Sequence, residues 1–359
     1  MSLQRAMLQN FVYDAPPSRV VFGAGSLDKL LDEIRKLDLH RALVLCTPEQ
    51  RAMGADIAAR LGAHSAGVFD GGAMHVPVET AAAARDKAQR LGADCCVAIG
   101  GGSTTGLAKA IALTSGLPIL AIPTTYAGSE MTPIWGLTEG GMKRTGRDSR
   151  VLPKTVIYDP VLTLSLPVAT SVTSGINAIA HCVEALYARD ANPIITLIAE
   201  EGIRALAGSL PMIVKRPSNL EARSNALYGA WLGGVSLGAV GMALHHKLCH
   251  TLGGTFNLPH AETHTVILPH AVAYNASAAP EAMERIARAL GARSAADGLY
   301  DLPASLGAPL SLQALGMTRD ELDRAADLAV QNAYYNPRPI TRDGIRNLLE
   351  DAFHGRRPL

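Results

Sequence analysis

"ADCCVAIGGGSTTGLAKAIAL" runs from Ala93 to Leu113. Its first half is a short apolar run without alternation, as a strand buried on both faces requires. Its second half carries small and apolar residues at helical spacing. Between them stand Gly100, Gly101 and Gly102. The stretch therefore reads as strand, glycine turn, helix, and the same order recurs outward from it. "RVVFGAGSLDKLLDEIRKL", "RALVLCT" with "RAMGADIAARLG", and "SAGVFDG" with "ETAAAARDKAQRLG" precede it, and "LPILAIPTT" follows. Apolar strands alternating with helices predict an α/β domain on a parallel, doubly wound sheet.

The pattern changes after "KTVIYDPVLTLSLP" (Lys154 to Pro167). From "ATSVTSGINAIAHCVEALYA" onward the chain reads as helices punctuated by Gly and Pro. Two domains are expected: an α/β domain over 1–160 and an all-α helical domain over 161–359. A length of 359 residues suits that division. The formal net charge of +1 gives no basis for nucleic-acid or membrane binding. No apolar run is long enough to span a bilayer, and the start lacks the design of a secretory signal. The five cysteines (Cys46, Cys95, Cys96, Cys182, Cys249) form no CxxC pair. Buried thiols in a reducing cytoplasm are expected.

Three stretches carry chemistry. Gly100, Gly101 and Gly102 let backbone N–H groups approach a phosphate, with a helix N-terminus behind them. Ser103, Thr104 and Thr105 add hydroxyls. "IPTTYAGSEMTPIW" (Ile122 to Trp135) puts Thr124, Thr125 and Ser129 after the next strand's carboxyl end, where ligands bind in such sheets. "ALHHKLCHTLGGTFNLPHAETH" (Ala243 to His264) holds five of the chain's eleven histidines.

In this order, and over nearly the whole chain, the three stretches resemble the iron-containing alcohol dehydrogenase family. The resemblance implies a dehydroquinate synthase-like architecture: an N-terminal dinucleotide-binding domain, a C-terminal helical domain, and the nicotinamide in a cleft between them. Within the family, "GGGSTTGLAKAIAL", "PTTYAGSEMTPIWGLTE", "SGINAIAHCVEALYA" and the histidine segment resemble the maleylacetate reductase branch. That implies NADH- or NADPH-dependent reduction of the carbon–carbon double bond of maleylacetate, a small dicarboxylate, to 3-oxoadipate in aromatic catabolism. It also implies a homodimer. Two other activities share the plan: a metal-dependent alcohol dehydrogenase acting on small alcohols or aldehydes, and a dehydroquinate-synthase-like lyase.

In metal-dependent members an aspartate and three histidines bind the ion. The matching positions here are Asn177, His181, His246 and His260, with His250 a further site histidine. Asn177 and His181, four apart, share one helix face. An amide at 177 brings no charge, so no metal is expected to be required. The imidazoles of His181, His246, His250 and His260 would then be the donors to an enolate. Lys247 adds a cation, about 100° round the helix from His246. His245 is a further candidate, while His264 and His270 are taken as structural.

For the cofactor, Lys143 stands ten residues before Pro153, as a cofactor-contacting lysine does in the family. In "VLCTPEQR", Pro48 occupies the place of the aspartate that NAD-specific relatives use against a 2′-phosphate. Glu49 can partly substitute and Arg51 can receive a phosphate, so dual use of NADH and NADPH is expected.

Overall fold

A computed structural model describes residues 11–13, 15, 18–140, 142–331 and 334–358. The chain divides into two compact units, one ending at Leu166 and the next starting at Pro167.

The first unit has eight strands: β1 (Arg19–Phe22), β2 (Ala42–Leu45), β3 (Ser65–Phe69), β4 (Cys95–Gly100), β5 (Ile119–Pro123), β6 (Ile134–Glu139), β7 (Met142–Arg147) and β8 (Thr155–Tyr158). Six of them form one sheet in the order β1-β8-β5-β4-β2-β3, every pair parallel. The period of two explains the two-sided burial. Cys95, Val97 and Ile99 of β4 face one side, in a core with Ile34 of helix α1 (Leu30–Lys36) and Ile57 of α2 (Arg51–Leu61). Cys96 and Ala98 face the other, with Ala84 of α3 (Val78–Arg90) and Leu107 and Ile111 of α4 (Gly102–Ser115). Each such Ile or Leu contributes about 1.5–3 kcal/mol by leaving water. This is the doubly wound parallel sheet that the alternation predicts.

Strand order reverses between β2 and β4: β3 lies outside β2, whereas β5 lies beyond β4. The turns after β2 and β4 thus flank the switch point, where open α/β sheets leave a crevice for ligands.

One element has no counterpart in the sequence reading, a hairpin after Thr132. β6 and β7 pair antiparallel, with Gly140 at φ 55° in the turn between them. Their mixed Gly, Thr and Arg sequence carries no apolar alternation, so the hairpin is held by its backbone ladder and hid from a search for periodicity.

The second unit is helical: α5 (Val168–Leu186), α6 (Pro193–Lys215), α7 (Leu220–Ala239), α8 (Leu244–Phe256), α9 (His260–Asn275), α10 (Pro280–Leu290), α11 (Ala295–Ser305), α12 (Glu321–Ala329) and α13 (Arg342–His354). Asn192, Asn219, Ser294 and Thr341 cap the helices that follow them by accepting a first-turn N–H. Gly233 lets α7 close onto α5: a Cβ there would lie 2.8 Å from the Ala178 carbonyl oxygen. That contact fixes the helix that bears Asn177 and His181. Leu248 and Leu252 of α8 share a core with Val266 and Ile267 of α9 and with Leu322 and Leu349. All five cysteines are buried and free. Among the described residues no single helix is long and apolar enough to cross a membrane.

Candidate active site

The glycine loop sits where β4 gives way to α4. Gly100 has φ 147°, a conformation L side chains rarely adopt, and a Cβ there would lie 2.5 Å from both Thr104 Oγ1 and Gln50 Oε1. Gly101 is the N-cap of α4, and no side chain caps that helix. Its first-turn N–H groups, from Gly102 and Ser103 onward, are therefore directed at whatever lies beyond the loop. Thr125 stands against the loop, since a Cβ on Gly101 would come within 3.0 Å of its Oγ1. Thr124 Oγ1 accepts a hydrogen bond of 3.0 Å from Gln50 Nε2. Gln50 closes the short 3-10 turn Pro48–Gln50 after β2. The structure thus brings together Gly100, Gly101, Gly102, Ser103, Thr124, Thr125 and the turn holding Pro48 and Glu49, at the switch point.

Ser129 contributes differently. Its carbonyl oxygen accepts from Lys109 Nζ at 2.6 Å. That buried ammonium also donates to Thr132 O at 2.7 Å, Thr132 Oγ1 at 2.9 Å and Ile134 O at 2.8 Å. Lys109 therefore clamps the threonine loop onto α4. Burial pulls its ammonium down to about 7. Beside it, Tyr158 donates its hydroxyl to the buried Glu130 at 2.9 Å, and burial raises the Glu130 carboxyl. Arg51 is ion-paired with Asp70. Its guanidinium already has an anionic partner, which argues against the phosphate-receiving role expected of it. The side chain of Lys143 lies outside the described residues.

The imidazoles gather in the helical unit. Asn177 and His181 lie on one buried face of α5. The ring of His246, on α8, stacks over that of His181 with centroids 5.2 Å apart. His264 of α9 meets His246 at 4.9 Å and His260 at 4.4 Å. His250 lies 6.1 Å from His246. Burial and the neighbouring rings of His246, His260 and His250 hold His181 well below the usual imidazole range, so it is neutral at pH 7.

Glu184, which the sequence reading missed, organises this group. It is fully buried on α5, one turn beyond His181. Its carboxylate accepts from the backbone N–H of Ala243 and of His245, both at 2.7 Å, and from that of His246 at 3.4 Å. These groups open α8, which has no cap of its own. A negative charge there is favoured by the helix dipole. His246 Nδ1 donates to the same carboxylate at 2.7 Å. That bond fixes the tautomer and leaves the Nε2 lone pair of His246 aimed into the cluster.

His245, kept as a candidate from its position, turns inward. Its Nε2 and His264 Nδ1 are hydrogen-bonded at 2.9 Å, and burial holds both rings well below the usual range. The pair lies beside the His181–His246 stack, with Cys249 Sγ 3.7 Å from His245 Nε2. Lys247 points round the helix as the 100° rotation implies. Its Nζ lies 5.9 Å from the Tyr334 ring centroid, beside His250 rather than His181.

Five polar atoms in the cluster are buried without a hydrogen-bond partner: His245 Nδ1, His264 Nε2 and, at the mapped positions, Asn177 Oδ1, His181 Nδ1 and His246 Nε2. The last three, two nitrogens and one oxygen, are desolvated and unsatisfied, donor types that a divalent transition metal takes. With His260 at the start of α9, these positions supply the donor types for such an ion, while the donor atoms of His245, Cys249 and His264 lie within 4.8 Å of one another beside them.

Known proteins place this geometry. Residues 17–160 match the profile of iron-containing alcohol dehydrogenase, and residues 171–353 that of the Fe-containing alcohol dehydrogenase family, C-terminal. The chain is 64% identical to maleylacetate reductase from Burkholderia cepacia, over 97% of this chain and 99% of that one. The crystal structure of maleylacetate reductase from Agrobacterium tumefaciens superposes with a TM-score of 0.95 at 56% identity, covering 98% of this chain and 100% of that one. Iron-containing alcohol dehydrogenase from Corynebacterium glutamicum gives 0.93 at 47% identity, covering 97% and 98%. Iron is in the description of both profiles and of the Corynebacterium protein, and this overturns the expectation that no metal is required. That expectation weighed the charge missing at Asn177. It did not see that Glu184 places a carboxylate directly behind His246, or that Asn177 keeps an unsatisfied oxygen in the cluster. Matched along both of its units, the chain belongs to the iron-containing alcohol dehydrogenase family.

Proposed function

We propose that this chain is an NAD(P)H-dependent reductase that converts maleylacetate to 3-oxoadipate. The substrate is carried over from the Burkholderia relative on 64% identity across 97% of the chain. The observation that carries the chemistry is the buried imidazole cluster around His181 and His246, with its unsatisfied donors. Gly100, Gly101, Gly102, Ser103, Thr124 and Thr125 hold the cofactor's phosphates and ribose at the sheet's switch point.

Maleylacetate is a dicarboxylate whose ketone is conjugated to an alkene. Hydride added to the alkene carbon beta to the ketone moves charge onto the ketone oxygen. Donors already aimed at that oxygen lower the barrier, and loss of one such donor costs about 10²–10³ in rate. A divalent ion held by Asn177, His181, His246 and His260 supplies Lewis-acid polarisation of that oxygen when bound. Glu184 keeps His246 in one tautomer and one orientation, so no reorganisation is needed as charge develops. Burial of Asn177, His181 and His246 shields that side of the enolate from water. His250, exposed like His260, delivers the proton to carbon from the solvent side. Pro48 in place of an acid leaves both NADH and NADPH acceptable.

Product analysis with NADH deuterated at the transferred position tests the reading. The label is expected on the carbon beta to the ketone of 3-oxoadipate. Label on a newly formed carbinol carbon would instead make the enzyme a carbonyl reductase.

A further inference from the structure

One turn along α8 from the buried imidazoles lies a cavity of about 280 Å³, lined by Lys247, His250, Thr251, Gln331 and Tyr334 among others. Positions 247, 250 and 251 share a helix face, so their side chains project together. His250 Nδ1 and the Tyr334 hydroxyl lie 3.2 Å apart. The Lys247 ammonium sits over the edge of this pair, 5.9 Å from the Tyr334 ring centroid. Every acidic side chain that forms an ion pair among the described residues does so with a residue other than Lys247. The Thr251 hydroxyl donates to the Lys247 carbonyl at 2.9 Å, and the cation it leaves beside a phenol and an imidazole, ion-paired with no carboxylate among the described residues, is a receptor for an external carboxylate.

We infer that Lys247, Tyr334 and His250 form a carboxylate subsite, and that it selects keto dicarboxylates over neutral alcohols and aldehydes. The subsite deepens the reductase reading and rests on it for the identity of the substrate. The spacing suits that substrate. The ring of His250 is 6.1 Å from that of His246. A carboxylate seated at Lys247 and His250 leaves the ketone, one or two carbons further along the chain, within reach of His246. A small alcohol has no group to place there. Among the described residues lining this pocket Lys247 is the one lysine or arginine, whereas Tyr334 donates one neutral hydrogen bond, so the two should contribute unequally.

The test is direct binding of adipate, a saturated dicarboxylate that cannot be reduced, to the full-length protein by isothermal titration calorimetry. Monomethyl adipate and butanol serve as one-charge and neutral comparisons. Lys247→Met is expected to weaken adipate by about tenfold or more, the scale of a charge-assisted hydrogen bond. Lys247→Arg should keep most of the affinity, and Tyr334→Phe should lose roughly three- to tenfold. In turnover, Lys247→Met should raise KM for maleylacetate far more than it lowers kcat. Butanol binding should not respond to any of these changes. Circular dichroism identifies a misfolded variant, and Lys247→Gln then replaces Lys247→Met. Adipate binding that is absent from the unaltered protein, or unchanged in folded Lys247→Met and Lys247→Gln, overturns the subsite. If the unaltered enzyme fails to reduce maleylacetate, the reductase reading falls, while the adipate titrations still decide the subsite.

Discussion

Replacing Glu184 by Gln tests the organisation of the site, and its cost can be worked from the distances. Oε2 accepts from Ala243 N and His246 Nδ1, both at 2.7 Å, whereas Oε1 accepts from His245 N at 2.7 Å. An amide keeps one oxygen. The better orientation leaves that oxygen at the Oε2 position and turns the NH₂ toward the His245 N–H. One buried backbone donor then loses its acceptor, at about 1–3 kcal/mol. Removing the charge from the uncapped N-terminus of α8 adds about 0.3–2 kcal/mol. The sum is roughly 1–5 kcal/mol, or a fall in Tm of roughly 3–20 °C for a unit of this size. Differential scanning calorimetry reads the stability. The rate of maleylacetate reduction reads the tautomer, because a neutral amide oxygen holds His246 Nδ1–H more weakly than a carboxylate does, and the ring presents its lone pair less of the time. A Glu184→Gln protein that melts within about 1 °C of the parent and keeps full kcat would refute the reasoning, since the carboxylate would then be a bystander.

Further expectations follow from the same coordinates. Gly101→Val puts branched carbon against Thr125, where even a Cβ would lie 3.0 Å from Oγ1, and fluorescence titration should show NADH affinity at least about tenfold weaker. Lys109→Met removes four hydrogen bonds under the threonine loop, so the KM for NADH should rise while the KM for maleylacetate holds; equal changes in both would exclude a clamp specific to the cofactor side. His270 is buried and its imidazole is pulled from 6.5 down to about 4, so in this window the unfolded chain binds the proton that the folded chain refuses. Its contribution is intact above pH 6.5 and is lost as pH falls toward 4, by about 3 kcal/mol, and a His270→Gln variant should show a flatter acid limb in urea titrations at stepped pH. Asn177→Asp adds a charge to the unsatisfied donor set, and calorimetric titration should show Zn²⁺ bound at least about tenfold more tightly.

What was legible in the sequence had a period or a motif. Unbroken apolar runs such as "CCVAI" can only be strands covered on both faces, and α3 and α4 announce themselves by their spacing. The loops that gather at the switch point were legible because they are short, glycine- or threonine-rich and follow strands. Two buried charges, Glu184 and Lys109, were not read as functional. Yet each stands alone in an apolar helix, in "AHCVEALYA" and "GLAKAIAL". A solitary charge in such a setting must find buried partners, and that is the signal that would have found both. The partners themselves come from other elements: the start of α8 for Glu184, and the chain leading into β6 for Lys109. Which way Lys247 faces, and that Tyr334 stands across from it, depend on how α8 packs against the chain after α12. No local pattern encodes that.

The central claim is that the imidazole cluster serves hydride delivery to a conjugated keto dicarboxylate. Comparing kcat/KM for maleylacetate with kcat/KM for small aldehydes, using NADH and NADPH in turn, tests it most directly. The account predicts rapid oxidation of either cofactor with maleylacetate, 3-oxoadipate formed in equal amount, and little turnover of aldehydes. Efficient aldehyde reduction with no cofactor oxidised in the presence of maleylacetate would contradict it.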